Sequence, residues 1–184
     1  MIYGERIRFR HVEREDLPTF VRWVNDPEVR AGIAMYLPMS MASEEMWFDN
    51  MLKRPPDEQP LGIEIQDGEE WRIIGNCAYF KIEQINRVGE VGIMIGEKTE
   101  WNKGYGTEAM QLLLKHGFET LNLNRVYLRV YATNARAIRA YEKSGFIVEG
   151  QQREAHYLEG KYIDVVMMSV LRSEWREKDQ LESE

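Results

Sequence analysis

The sequence predicts a mixed α/β chain built on one sheet, in the order β-α-α-β-β-β-α-β-α-β-β. Two observations carry this. Residues 61–95 hold three runs rich in alternating or β-branched apolar residues. Short polar connections at Asp67-Gly68-Glu69-Glu70 and Ile85-Asn86-Arg87 separate them, the pattern of an antiparallel meander. After residue 104 the apolar spacing changes to a helical period, and helix and strand then alternate.

The first strand is Arg6-Ile7-Arg8-Phe9-Arg10, polar and apolar in turn. A helix follows over Asp16 to Asn25, with Leu17, Phe20, Val21 and Val24 on one side and Pro18 in the first turn, where a missing N–H costs nothing. Asn25-Asp26-Pro27 stops it, and residues 30–41 read as a loop. A second helix is expected from Ser43, with Glu44 and Glu45 in its first turn and Met46, Trp47, Met51 and Leu52 as its core face. The meander comprises Leu61 to Ile65, Trp71 to Ile82 with Gly75 at a bulge, and Val88 to Ile95. Gly104 to Leu121 reads as a helix that buries Met110, Leu113, Leu114, Phe118 and Leu121. Arg125 to Tyr131 is a strand, and Asn134 to Lys143 a helix ended by Gly145. Phe146 to Gly150 and Asp164 to Leu171 close the sheet. Residues 1–172 are expected to form one domain, and 173–184 a charged tail.

Charge and composition narrow the function. Lys+Arg is 24 against 31 Asp+Glu, a net charge of −7, which disfavours a nucleic-acid partner because phosphate neutralisation needs a basic face. No apolar run approaches the roughly 20 residues of a membrane span, and the N-terminus resembles no targeting peptide. The single cysteine, Cys77, allows no intramolecular disulfide, so the expectation is a cytoplasmic protein. His11, His116 and His156 stand apart from other ligand-type residues, so no metal site is expected.

The chemistry concentrates between Glu90 and Ala109. A strand leads into a loop, and Gly104-Tyr105-Gly106 opens a helix. First-turn amides have no partner inside a helix, and together with the helix dipole they suit a phosphate or pyrophosphate. Gly104-x-Gly106-x-x-Ala109 formally fits a dinucleotide-binding pattern. Eight residues separate it from Ile95, however, and no acidic residue in Val126 to Tyr131 serves a ribose, so a nicotinamide-dependent oxidoreductase is disfavoured.

Trp101-Asn102-Lys103-Gly104-Tyr105-Gly106-Thr107 resembles the [Arg/Gln]-x-x-Gly-x-[Gly/Ala] signature of the GCN5-related N-acetyltransferases (GNAT), with Trp101 in place of the first residue. Asn134-x-x-Ala137-x-x-x-Tyr141-x-x-x-Gly145-Phe146 is similar to a second run of that family, in the right order and on the expected elements. Gly160 to Asp164 and the closing strand are similar to the branch of ribosomal-protein alanine acetyltransferases and spermidine acetyltransferases.

The resemblance implies the GNAT fold, a splayed, mostly antiparallel mixed sheet flanked by helices, and acetyl transfer from acetyl-CoA to an amine. It implies that Trp101, Asn102, Lys103, Gly104, Tyr105, Gly106 and Thr107 hold the pyrophosphate. Ile93, Met94 and Ile95 would pair with the pantetheine arm, and Asn134, Ala137, Tyr141 and Lys143 would complete the cofactor contacts. Met94 or Ile95 N–H would polarise the acetyl carbonyl. Tyr141 is implied as the acid for the leaving thiolate, and Glu90 as the base for the amine. Glu44, Glu45, Asp49, Asp57 and Glu58 crowd the second helix and its exit, which favours a cationic acceptor: a polyamine, a protein N-terminus or an aminoglycoside. A homodimer is the implied assembly, and a CoA-binding module without catalysis is the alternative reading.

Overall fold

The computed structural model describes residues 1–175 apart from Ala34 and Glu159, so 176–184, the larger part of the expected charged tail, lie outside the described residues. The strands are β1 (Ile2–Tyr3), β2 (Ile7–His11), β3 (Leu61–Asp67), β4 (Glu70–Glu83), β5 (Val88–Ile95), β6 (Arg125–Tyr131), β7 (Ile147–Leu158) and β8 (Lys161–Leu171). The helices are α1 (Leu17–Asn25), α2 (Pro27–Arg30), α3 (Met41–Met51), α4 (Tyr105–Lys115) and α5 (Ala135–Lys143). The strands form one open, mostly antiparallel sheet in the order β1-β2-β3-β4-β5-β6-β8-β7, as expected for the fold class. No helix among the described residues is long and apolar enough to cross a membrane. The chain divides into two compact units, residues 1–79 with 93–109 and residues 80–92 with 110–184.

In the first unit, β2 lies between β1 and β3, and β3 pairs with β4, all antiparallel. Ile7, Phe9, Ile63, Ile65 and Ile74 are buried along these strands. The register shifts where Ile63 faces Gly75 and Glu64 faces Ile73, so Ile74 is the extra residue of a bulge beside the glycine that the sequence marks. The Ile74 carbonyl accepts both the Gly96 and the Glu97 amides, at 2.9 and 3.1 Å. Only glycine fits at 75, since a Cβ there would lie 2.1 Å from the Met94 carbonyl oxygen. This junction fixes where β5 ends and the following loop begins. Cys77 sits in the interior of β4, unpaired and buried, as the sequence suggests.

Arg10 ties β2 to α1 and β3. Its guanidinium meets both Asp16 oxygens at 2.7 and 2.8 Å, and its Nε donates to Glu64 at 2.7 Å. Arg8 donates to the other Glu64 oxygen at 2.6 Å.

Both α2 and α3 depart from the sequence reading. Asp26 ends α1 but also caps α2, accepting the Glu28 amide at 2.9 Å, so a stop signal doubles as a start. Ser40 caps α3, which therefore begins at Met41 and not at Ser43. The core face of α3 is Glu44, Phe48 and Met51, whereas Met46 and Leu52 are exposed. Apolar residues surround this helix, so hydrophobicity alone does not choose its face.

In the second unit, β6 pairs antiparallel with β8, and β8 with β7. β5 pairs parallel with β6 from Val88↔Arg125 to Glu90↔Tyr127, and the register ends there. Met110, Leu113, Leu114 and Phe118 are buried as expected, while the helix passes into a π-helical turn over His116–Thr120 and Leu121 is half-buried. The β7–β8 hairpin is longer than predicted. The extra arm from Gln151 to Ile163 is largely exposed on both faces, so it carries no alternation for the sequence to reveal.

Candidate functional site

The glycine loop belongs to the first unit. Asn102 and Gly104 both take left-handed conformations, with φ of 62° and 88°. Asparagine tolerates that region better than most residues, and glycine enters it without strain. Such a turn points successive amides outward as an anion cradle. The Glu108 amide makes the first intrahelical bond, to the Gly104 carbonyl at 3.1 Å, so Tyr105 and Gly106 present their amides ahead of it. A Cβ on Gly106 would meet only Ile95, at 3.8 Å, leaving room above the loop for a ligand. Outward amides, a helix N-terminus and open space together fit a pyrophosphate.

Trp101 acts differently from the residue it replaces in the signature. Its indole N–H donates to the Ile95 carbonyl at 2.7 Å, fastening the loop to the end of β5. Lys103 is engaged as well: its ammonium bonds Glu100 at 3.0 Å, and Arg72 reaches the other oxygen of Glu100 at 2.9 Å. Burial pushes the Glu100 carboxyl up, but Lys103 and Arg72 hold it below its ordinary value, so it stays charged.

Beside the β5 end lies an aromatic cluster from α1 and α3. Phe20 stacks on Trp23 with centroids 5.6 Å apart and meets Trp47 edge-on at 6.3 Å. Met94 and Trp101 pack against the same cluster. Among the described residues, neither the buried Trp23 Nε1 nor the Glu44 carboxyl has a hydrogen-bond partner. Glu44 lies one turn before Phe48 on the buried face of α3, only 5% exposed, and desolvation raises its pKa.

That carboxyl has a measurable signature. A folded-state pKa above the unfolded value makes the folded chain bind the proton more tightly. Stability is then lost as pH climbs from the ordinary carboxylate range through the raised value. Glu44→Gln therefore has a higher Tm than the parent at about pH 8, and the two converge near about pH 4. Equal melting curves at both pH values would show that Glu44 carries no buried charge.

The second unit holds the remaining predicted residues. Glu90 lies on β5, where its two oxygens accept from Arg129 Nε at 2.9 Å and Tyr127 Oη at 3.2 Å. Asn134 caps α5, its side chain accepting the Ala137 amide at 3.1 Å, so both residues have a local structural role. Lys143 ends α5 on the exposed surface. Tyr141 is 8% exposed and packs on Phe146 with centroids 5.9 Å apart. Its hydroxyl makes no hydrogen bond among the described residues, and burial pushes the phenol up to about 12. It is a protonated donor at any neutral pH, with its hydroxyl uncommitted.

Two features of the site escaped the sequence reading. Arg6 donates to the Lys103 carbonyl from 97 positions away, beyond any local signal. Glu44 stands among the acidic residues that the sequence reading weighs for a cationic acceptor, but its burial on the core face of α3 was not legible.

A family profile described as an acetyltransferase (GNAT) domain matches residues 6–147. An uncharacterized N-acetyltransferase of Bacillus licheniformis is 32% identical over 95% of this chain and 97% of that protein. A putative ribosomal N-acetyltransferase of Bacillus subtilis, YdaF, is 27% identical over 94% of each chain. Among solved structures, spermidine N-acetyltransferase from Vibrio cholerae in complex with CoA and spermine superimposes with a TM-score of 0.82 at 26% identity, over 93% of this chain and 98% of that one.

Proposed function

From its membership of the GNAT family of N-acetyltransferases, to which this chain belongs, we propose that it moves an acetyl group from acetyl-CoA to a cationic primary amine, a polyamine or a protein N-terminus. The observation that carries the acceptor class is Glu44. A buried carboxyl without a protein partner, on the face of α3 that joins an aromatic cluster, is costly to the free protein. An ammonium group offsets that cost, and aromatic faces add cation–π attraction. Relatives named as a spermidine N-acetyltransferase and as a putative ribosomal N-acetyltransferase point to the same class.

The donor supplies an activated thioester. The loop from Asn102 to Thr107, with the Tyr105 and Gly106 amides ahead of the first intrahelical bond, holds its pyrophosphate, and Ile93, Met94 and Ile95 offer strand-like pairing to the pantetheine arm. Met94 or Ile95 N–H polarises the acetyl carbonyl. The amine nitrogen forms the new C–N bond, the C–S bond breaks, and Tyr141 delivers a hydrogen bond and then its proton to the departing sulfur. The phenol lies above an ordinary thiol near about 8.5, but the desolvation that raises it also raises a thiol beside it. Glu90 remains the candidate base, working through water because Arg129 and Tyr127 occupy its oxygens. A second copy of the chain covering the exposed β7 edge is the proposed assembly. Light scattering giving only the 21.7 kDa mass would remove it.

The test is release of free thiol from acetyl-CoA with polyamines, N-terminal peptides and aminoglycosides. Turnover of a cationic amine supports the proposal. Preference for an uncharged or acidic amine would overturn the acceptor class. Acetyl-CoA binding with no turnover of any amine would favour the non-catalytic module.

A further inference from the structure

The loop that receives the pyrophosphate carries an electrostatic problem. Glu108, in the first turn of α4, puts a carboxylate beside a site built for an anion. Arg6, in the segment leading into β2, answers it. Its Nη2 lies 2.8 Å from Glu108 Oε2, its Nε donates to that oxygen at 2.9 Å, and its own amide donates to Oε1 at 2.7 Å. Its Nη1 donates to the Lys103 carbonyl at 3.1 Å, and the guanidinium lies over the Tyr105 ring at 4.8 Å. A Cβ on Gly104 would be 3.3 Å from its Nη2.

We infer that Arg6, through Glu108, is a positioning residue for binding the pyrophosphate of the donor. Two effects combine. A loop whose amides point outward must satisfy its carbonyls elsewhere, and Arg6 takes the carbonyl between the two left-handed residues. The same guanidinium neutralises Glu108, which would otherwise repel the ligand within a few ångströms of the helix N-terminus. Lysine cannot replace it, because one ammonium cannot meet a carboxylate, a carbonyl and a ring face at once.

This inference rests on the acetyl-CoA reading, and the experiment separates the two. Acetyl-CoA affinity is measured by calorimetry, and turnover is followed with acetyl-CoA and with acetylpantetheine, a donor lacking the pyrophosphate. Failure of the unmodified protein to bind acetyl-CoA would defeat the reading itself. Given binding, Arg6→Ala weakens acetyl-CoA about tenfold. It leaves kcat at saturating acetyl-CoA and kcat/KM for acetylpantetheine within about twofold. Arg6→Lys recovers little of the affinity. Unchanged acetyl-CoA affinity in Arg6→Ala, or an equal loss with acetylpantetheine, would overturn the inference. If Arg6→Ala does not fold, Arg6→Gln, which keeps the aliphatic stem, carries the same comparison.

Discussion

Tyr141→Phe lowers kcat by about two orders of magnitude and leaves acetyl-CoA affinity within about twofold. The substitution removes one oxygen from a ring whose packing on Phe146 does not depend on it. No hydrogen bond among the described residues is lost with the hydroxyl. The variant therefore melts close to the parent temperature. Loss of rate without loss of stability would support the proposed role of the hydroxyl at the sulfur. Because burial pushes this phenol up to about 12, its ionisation lies above any working range, and neither limb of the pH–rate profile near neutrality belongs to it. A kcat equal to the parent's, measured with an amine that is turned over well, would leave Tyr141 a packing residue.

Arg10→Ala has the largest expected effect on stability. Asp16 and Glu64 are buried, and Arg10 contacts both. Removing one partner of a buried ion pair costs about 3–5 kcal/mol, because the other charge remains in place and uncompensated. For a chain of this size that lowers Tm by roughly 6–20 °C. Arg8 still serves Glu64, so most of the loss falls on Asp16, which also accepts the Glu13 amide at 2.8 Å. Arg10→Lys recovers only part, since an ammonium lacks the fork that meets Asp16 through two nitrogens. Calorimetry showing a fall below about 3 °C in Arg10→Ala would mean that water screens the network.

These two sites differ in how far the sequence reveals them. Tyr141 stands in a run whose spacing, from Asn134 to Gly145, states its helix, its cap and its end. Arg10 looks like any polar residue of an alternating strand, and its partners lie 6 and 54 positions away. The same contrast holds across the fold. The meander and α4 were legible because one face of each is apolar and the other polar. The face of α3 was not, because Met46 and Leu52 offered the same hydrophobicity as Phe48 and Met51. The outer arm of the β7–β8 hairpin was not legible either, because exposure on both faces leaves no period. Within the candidate site, Gly104 and Gly106 announced the loop through their conformational demands. Its fastenings, Trp101 to Ile95 and Arg6 to Lys103, needed coordinates.

The position of Cys77 has a practical bearing at the bench. Acetyl transfer liberates one free thiol per turnover, and thiol-reactive dyes count it. A protein with an accessible cysteine would add its own signal and could lose activity to the dye. Here the single sulfhydryl is 1% exposed inside β4, and burial raises its pKa far above that of an ordinary thiol, so almost none is in the reactive thiolate form. The folded enzyme is silent to the reagent, and colour growth reports the reaction alone. Colour from the protein itself then becomes a gauge of unfolding, available in the same cuvette as the rate.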